Sequence, residues 1–261
     1  MSQPFRLNKE GLINRNKKIS FTFNGKKLFG YEGDTIASAL IANGIHLVGR
    51  SFKYHRPRGF FGAGVEEPNA KLQVEFNGHS EPNVNATEME LVEGLSATSQ
   101  NCWPSVNFDI GAINNFLKMF FPAGFYYKTF MWPKSFWYKI YEPFIRKAAG
   151  LGVASIEKDK ERYEHKFEYC DLLVTGSGPS GLASAYAAAK NGAKVILAED
   201  KPRFGGTLLT DDVSIDNLSG KDWAEKIITE LKSMPNVTVK NRSQVFGYYD
   251  HNMLVMFERV S

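Results

Sequence analysis

A glycine-rich turn, Gly176-Ser177-Gly178-Pro179-Ser180-Gly181, holds the residues whose types and spacing point most directly to chemistry. Its spacing, G-x-G-x-x-G, is typical of a pyrophosphate-binding turn when a strand precedes it and a helix follows it. The first glycine allows the tight turn, the second lets the backbone approach the pyrophosphate, and the third lets helix and strand pack closely. The phosphates would then lie over the helix N-terminus, where unpaired N–H groups and the macrodipole favour an anion.

The elements that must position this turn stand in order around it. Residues 170–175 have the pattern of an apolar strand, and residues 182–191 that of a helix with mostly small side chains. A second apolar strand, 193–198, ends at Glu199-Asp200, where an acidic side chain can accept hydrogen bonds from a ribose hydroxyl. The sequence therefore predicts a dinucleotide site. An acid in this position favours NAD or FAD over NADP, and it does not choose between NAD and FAD.

The residues after Asp200 continue the same fold. Lys201 to Leu208 contains a further glycine pair close to the expected nucleotide. A helix at 221–234 and a third parallel strand at 236–239 follow, and residues 243–259 predict a hairpin. The apolar side of the predicted helix consists of Trp223, Ile227, Ile228 and Leu231.

Length and composition narrow the possible classes of protein. A chain of 261 residues is long enough for one large domain or two ordinary ones, and its net charge of +4 does not by itself imply nucleic acid or a membrane. The two cysteines, Cys102 and Cys170, can build neither a disulfide framework nor a four-thiolate cluster. The N-terminus lacks the apolar core of a signal peptide, and lysines interrupt the most apolar region, 116–141. We expect a cytoplasmic protein without a transmembrane segment.

The N-terminal residues predict a β-grasp module of the ferredoxin type. An alternating strand at 19–23, the turn Asn24-Gly25 and a second strand at 26–31 form a hairpin, and a helix at 35–43, capped by Asp34 or Thr35, follows at once. Further strands are predicted at 72–76 and, less regularly, at 89–91. In plant-type iron–sulfur modules the loop after this helix carries the ligating cysteines. Because this loop contains none, we expect no iron–sulfur cluster and no metal site.

Cations and aromatic residues alternate between Arg50 and Phe61. Stacking combined with phosphate contacts would suit a nucleic acid. The other interpretation is structural, with the arginines satisfying carbonyls or carboxylates such as Glu66 and Glu67. The patch is short and the remaining charge is mixed, so we expect no nucleic-acid partner.

The next segment, 109–167, predicts an aromatic helical connector that ends in charge-rich, solvated residues. We expect its aromatic residues to be buried, either as core between two domains or as anchors of a subunit interface, with a flavin pocket as a third reading. These residues are Phe116, Phe120, Phe121, Phe125, Tyr126, Tyr127, Phe130, Trp132, Trp137, Tyr138 and Tyr141.

Several blocks of sequence make the chain similar to a known family. Residues 50–59, 64–70 and 99–105 resemble the N-terminal portion of the alpha subunits of heterotetrameric sarcosine oxidases, and so do 125–133 and 141–152. Together with the glycine turn, the resemblance covers nearly the whole chain. Amine and opine dehydrogenases and hydrogen cyanide synthase subunits share parts of this architecture.

The fold class that we predict is α/β. It comprises a β-grasp, ferredoxin-like domain without cluster cysteines at 1–108, the connector at 109–167, and a partial Rossmann-type FAD/NAD-binding domain at 168–261. Because the family's alpha subunit is much longer, the resemblance implies a fragment or a split gene product that is inactive by itself.

The resemblance also implies a function. The chain would belong to a flavoenzyme that oxidatively demethylates sarcosine to glycine, passing the one-carbon unit to tetrahydrofolate and forming hydrogen peroxide. It would hold NAD, or alternatively FAD, and dock with the other subunits, while FAD and FMN in the assembled complex carry the oxidation. The alternatives are an FAD-binding subunit of another amine, proline or opine dehydrogenase and a non-catalytic assembly module.

Site residues are assigned only for the nucleotide. No spacing among the five histidines suits a metal, and no catalytic residue can be named. The expected cofactor-binding residues, of which Thr207 and Val245 rest on the resemblance, are Gly176, Ser177, Gly178, Pro179, Ser180, Gly181, Glu199, Asp200, Gly206, Thr207 and Val245.

Overall fold

The computed structural model describes residues 3–9, 11–128, 130–150, 152–158 and 161–260. The chain divides into two compact units, Met1–Glu161 and Arg162–Ser261. Within the described ranges, no helix is both long and apolar enough to span a membrane.

The first unit is built on a mixed five-stranded sheet. The strands of this unit are β1 (Asn14–Phe23), β2 (Lys26–Glu32), β3 (Gly49–Arg50), β4 (Pro57–Arg58), β5 (Lys71–Phe76), β6 (His79–Asn85) and β7 (Ser96–Ser99). The helices of this unit are α1 (Ile36–Ala42), α2 (Phe125–Lys128) and α3 (Glu142–Ala149). The sheet order is β2-β1-β7-β5-β6, with β7 parallel to β1 and antiparallel to β5. The short strands β3 and β4 form a separate pair.

The predicted hairpin and helix are confirmed. Asn24 and Gly25 both have positive φ, which suits the right-handed twist of a two-residue hairpin loop. Helix α1 begins after Thr35, whose hydroxyl accepts the N–H of Ser38 at 3.2 Å, while the Ser38 hydroxyl accepts the N–H of Thr35 at 3.0 Å. This capping box satisfies two donors that a helix N-terminus would otherwise leave unpaired.

The prediction of a strand at 89–91 is wrong. These residues make a single bridge, between Thr35 and Glu90, and their backbone serves the start of α1 instead. The N–H of Ile36 donates to the Met89 carbonyl at 3.0 Å. The central strand that completes the sheet is β7, which sequence periodicity did not predict because only four residues, Ser-Ala-Thr-Ser, form it.

An apolar core lies between α1 and the five-stranded sheet. Ile36 and Leu40 on α1 are buried against alternating residues of the strands, among them Phe21, Leu72 and Val74. The period of two along each strand places these side chains on the same face.

Of the aromatic residues of the connector that we expected to be buried, the structure describes nine side chains, of which four are exposed in the single chain and five are half-buried. The interpretation as a core between two domains is therefore wrong for the exposed rings, whereas the interpretation as a subunit interface stays a prediction. Phe116 is 84% exposed and Trp132 is 83% exposed. The described part of this segment forms short helices and contributes no strand to a sheet. Several of its rings pack on each other, edge-on in the pair Phe121–Phe125 and tilted in the pair Phe130–Tyr141. The side chains of Tyr126 and Tyr127 lie outside the described part of the chain.

The second unit contains a three-stranded parallel sheet. The strands of this unit are β8 (Leu172–Thr175), β9 (Val195–Ala198), β10 (Ser214–Ile215), β11 (Leu218–Ser219), β12 (Val237–Lys240), β13 (Ser243–Tyr249) and β14 (Met253–Glu258). The helices of this unit are α4 (Pro179–Lys190) and α5 (Gly220–Ser233). The order β12-β9-β8 is that of one half of a doubly wound fold. The predicted hairpin is confirmed as β13 and β14.

Helices α4 and α5 pack on the sheet through the residues that the pattern predicted. Trp223, Ile227, Ile228 and Leu231 are buried together with the small side chains Ala185 and Ala189 of α4. All four residues of β9 are buried, as expected for the central strand of a parallel sheet. The first strand, β8, is less buried than predicted, because Leu172 and Thr175 are exposed on an edge strand.

Candidate dinucleotide-binding site

The glycine turn joins the end of β8 to the start of α4, as the motif requires. Gly176 has φ of +89°, a conformation that L side chains rarely adopt. A Cβ atom added to Gly181 would lie only 2.0 Å from the carbonyl oxygen of Gly176. The first and third glycines are therefore required by the protein's own geometry, the first for the turn and the third for the close approach of helix and strand.

The second glycine has a different role. A Cβ atom added to Gly178 would meet no protein atom within 4 Å, and its backbone is extended, with φ of −64° and ψ of −179°. Gly178 is also the N-cap of α4, and no side chain caps this helix. The open space and the uncapped N–H groups coincide where the motif places a pyrophosphate.

The second glycine pair approaches the first turn. A Cβ atom added to Gly206 would lie 3.0 Å from the Cα atom of Gly178. Thr207 follows in a short 3₁₀ helix and is exposed. The loop after β9 therefore borders the glycine turn.

Ser177 and Glu199 form a buried polar contact beneath the turn. The backbone N–H of Ser177 donates to Glu199 Oε2 at 2.8 Å, and the Ser177 hydroxyl donates to the same oxygen. The Ser177 hydroxyl in turn accepts the N–H of Gly205 at 3.0 Å. These bonds tie the glycine turn to the end of β9 and to the second glycine pair.

Burial works to raise the pKa of the Glu199 carboxyl, but hydrogen bonds outweigh it. Bonds with Asp200, with Ser177 and with the N–H of Lys201 favour the anion, so the pKa lies below its usual range. Glu199 is 5% exposed and is anionic at neutral pH.

A cavity of about 250 Å³ lies beside the turn, at the carboxyl ends of β8 and β9. Ligands of open α/β sheets bind outside the carboxyl ends of the strands. Seven residues line it: Thr175, Gly176, Ala198, Asp200, Ser243, Gln244 and Val245.

The structure brings three of the predicted residues, Gly176, Asp200 and Val245, together around this cavity. Pro179 and Ser180 are exposed in the first turn of α4. Of the lining residues that sequence reasoning did not name, Thr175 and Ala198 end the first two strands. The rule that sites lie at strand ends could have identified both. Ser243 and Gln244 open a hairpin strand and gave no comparable signal.

In the cationic and aromatic loop between Arg50 and Phe61, the described polar contacts are made within the protein. The Arg50 guanidinium donates to the Val106 carbonyl at 2.9 and 2.7 Å and to the His55 carbonyl at 3.1 Å. His55 Nδ1 lies 2.7 Å from Asp109 Oδ2, and both side chains are buried. The expectation that arginines satisfy carbonyls is confirmed for Arg50, whereas Arg56 donates to the side-chain oxygen of Asn115. Glu66 and Glu67 accept backbone N–H groups.

Two family models match the chain. Residues 16–102 match a domain described as a 2Fe-2S iron-sulfur cluster binding domain, and residues 171–245 match an FAD dependent oxidoreductase. The matches agree with a ferredoxin-type domain followed by part of an FAD-dependent oxidoreductase domain.

Similar proteins extend this assignment to most of the chain. Sarcosine oxidase subunit alpha from Rhizobium meliloti (strain 1021) is 56% identical over 98% of this chain, and that from Corynebacterium sp. (strain U-96) is 32% identical over 99%. The chain spans about a quarter of their length, 26% and 23%. The structure of L-proline dehydrogenase from P. horikoshii has the same fold, with a TM-score of 0.60 and 18% identity, over 98% of this chain and 39% of that one.

The residues of the first unit do not fit an iron–sulfur cluster. The loop between α1 and β5, all of which is described, contains no cysteine. Cys102 and Cys170 are free thiols that lie in different units. Among the residues that the structure describes, no group of three or more His, Cys, Asp and Glu side chains is placed to hold a metal ion. The glycine turn and its cavity, in contrast, fit a dinucleotide.

Proposed function

The chain corresponds to the N-terminal portion of the sarcosine oxidase alpha subunits, and on this premise we propose that it is the nucleotide-binding and subunit-docking part of such an enzyme. The complete enzyme would demethylate sarcosine oxidatively, giving glycine, a one-carbon unit on tetrahydrofolate and hydrogen peroxide. The proposed location is the cytoplasm, which the two free thiols favour.

The observation that carries the nucleotide proposal is the cavity beside an uncapped helix and an open glycine. Gly178 and the first N–H groups of α4 would hold the pyrophosphate, Asp200 would bind the ribose, and Val245 would border the adenine. Glu199 would stabilise the turn from below. A bound dinucleotide supplies the redox chemistry, and these residues bind and orient it.

NAD is the proposed occupant and FAD the alternative. Both contain the ADP group that these residues suit, and the match to an FAD dependent oxidoreductase keeps FAD in consideration. Denaturing the purified protein and identifying the released nucleotide by reverse-phase chromatography tests the proposal. Released NAD supports it. FAD without NAD would favour an FAD-binding subunit of another amine dehydrogenase.

The docking part of the proposal rests on the exposed rings of the connector, which we call the aromatic surface: Phe116, Phe120, Trp132, Tyr138 and Phe144. Exposed clusters of large apolar side chains mark interaction sites, and aromatic residues anchor protein interfaces. The proposed occupants are the other polypeptides of the sarcosine oxidase complex.

Co-purification with those polypeptides tests the docking proposal. The double variant Phe120→Ala/Trp132→Ala should lose them, whereas Tyr169→Ala, which removes a ring that is 80% exposed in the second unit, should retain them. Full recovery of the complex by the double variant would contradict the proposal. If assembly and turnover survived without a bound nucleotide, the chain would be an assembly module.

A further inference from the structure

One loop of the first unit, residues 59–70, folds around the carboxylate of Glu67. This side chain is 1% exposed. Its Oε2 accepts the N–H groups of Phe61 and Gly62 at 2.5 and 2.6 Å, and its Oε1 accepts those of Asn69 and Ala70 at 2.7 and 3.2 Å. Four backbone dipoles from both ends of the loop therefore converge on one anion.

Glu66 continues the pattern at the rim of the loop. Its Oε1 accepts the N–H groups of Ala63 and Gly64, each at 2.9 Å. The carbonyl of Gly64 accepts the Thr87 hydroxyl at 2.8 Å, which ties the loop to the residues after β6. Two carboxylates thus take six backbone N–H groups of a single loop.

This loop belongs to the part of the chain that matches a 2Fe-2S iron-sulfur cluster binding domain. It lies between α1 and β5, inside the matched residues 16–102. A cluster held by thiolates is a negatively charged group whose sulfur atoms accept hydrogen bonds from the surrounding chain. The donors of this loop are directed at an anion, but that anion belongs to the protein itself.

We propose that Glu67, supported by Glu66, takes the place of an iron–sulfur cluster as the internal anion that organises this loop. The module would then keep the ferredoxin-type fold without metal and act as a structural platform. This inference depends on the first unit alone and is independent of the nucleotide that the second unit binds.

Amide hydrogen exchange on the full chain tests the role of Glu67. In Glu67→Gln the side-chain NH₂ would meet backbone donors, so the amides of Phe61, Gly62, Asn69 and Ala70 should exchange at least about tenfold faster, and the unfolding midpoint should fall by about 5 °C or more. Glu75→Gln, which changes an exposed carboxylate on β5, is the matched control and should leave both unchanged.

Two further measurements cover the remaining outcomes. If Glu67→Gln does not fold, Glu66→Gln should accelerate exchange at Ala63 and Gly64 alone. Anaerobic incubation of the wild-type chain with ferrous ion and sulfide should give neither stoichiometric iron nor visible cluster absorption. A reconstituted cluster, or wild-type exchange in a folded Glu67→Gln or Glu66→Gln variant, would overturn the proposal.

Discussion

Ser177 donates both its backbone N–H and its hydroxyl to one oxygen of Glu199, so the acid that ends β9 stabilises the glycine turn from within. Asp200, the next residue, is exposed and lines the cavity. The two adjacent acids therefore differ in exposure, one buried in the fold and one beside the proposed nucleotide, although their side chains are hydrogen-bonded to each other.

The glycines of the turn should separate stability from binding. Gly178→Ala adds a methyl group that meets no protein atom, so the midpoint of unfolding should not change, while retention of the dinucleotide should fall at least about tenfold because the pyrophosphate loses its space. Gly181→Ala drives a Cβ against the Gly176 carbonyl, so it should lower both the midpoint of unfolding and the retention of the dinucleotide. Denaturation curves and nucleotide content check this pair. Full retention in Gly178→Ala would show that nothing binds against this glycine.

Substitutions of Glu199 and Asp200 should have opposite effects on stability and on dinucleotide binding. Glu199→Gln perturbs buried hydrogen bonds to a charged group, and we expect the second unit to lose about 1.5–3 kcal/mol in its free energy of unfolding. Asp200→Asn should leave that free energy nearly unchanged and weaken dinucleotide binding about tenfold. Urea titrations and equilibrium binding distinguish the two. The reverse pattern would assign the ribose to Glu199.

A buried ion pair joins the N-terminal residues to the ferredoxin-type unit. The Arg6 guanidinium donates to both carboxylate oxygens of Asp34, at 2.9 and 2.7 Å, and Asp34 is 1% exposed. Asp34→Asn leaves the guanidinium without its counter-ion, so the free energy of unfolding should fall by about 3 kcal/mol or more. The exposed pair Lys17–Glu32 is the control, and Glu32→Gln should have little effect. Equal losses would mean that burial does not strengthen the first pair.

Acid should weaken the loop around Glu67. Burial works to raise the pKa of this carboxyl, but the backbone donors of Gly62, Asn69, Phe61 and Ala70 outweigh it and place the pKa below its usual range. A lowered folded-state pKa contributes stability that is complete above the unfolded pKa, about 4.3, and is lost as the pH falls through the folded value. The stability difference between wild type and Glu67→Gln should therefore be constant near neutral pH and shrink below about pH 4. A difference that did not change with pH would contradict this origin.

Periodicity predicted the elements that carry long amphipathic patterns. The first hairpin, α1, the strands around the glycine turn and α5 all stand where their apolar residues indicated. These patterns work because local propensity and burial agree. Strand β7 escaped prediction because its position depends on pairing with β1 and β5, residues distant in sequence.

The polar contacts of both units were harder to predict. Nothing in the residues around Glu67 indicates that its carboxylate collects N–H groups from two ends of a loop, since that depends on how the loop closes. The same holds for Glu199, where sequence order predicted an acid at the site but not which acid faces the cavity. For the aromatic segment, the composition indicated burial but not what would cover the rings. Its exposed rings contradict the interpretation as a core between domains, and the subunit interface stays a prediction.

Strand β8 is an edge of its sheet, since among the described residues β9 is its only partner. Leu172 and Thr175 are exposed on it. Exposed edges of this kind template pairing with other chains. When the chain is produced by itself, the second unit should therefore self-associate as the protein concentration rises. Dilution, or a polypeptide that covers this edge, should keep the chain monomeric.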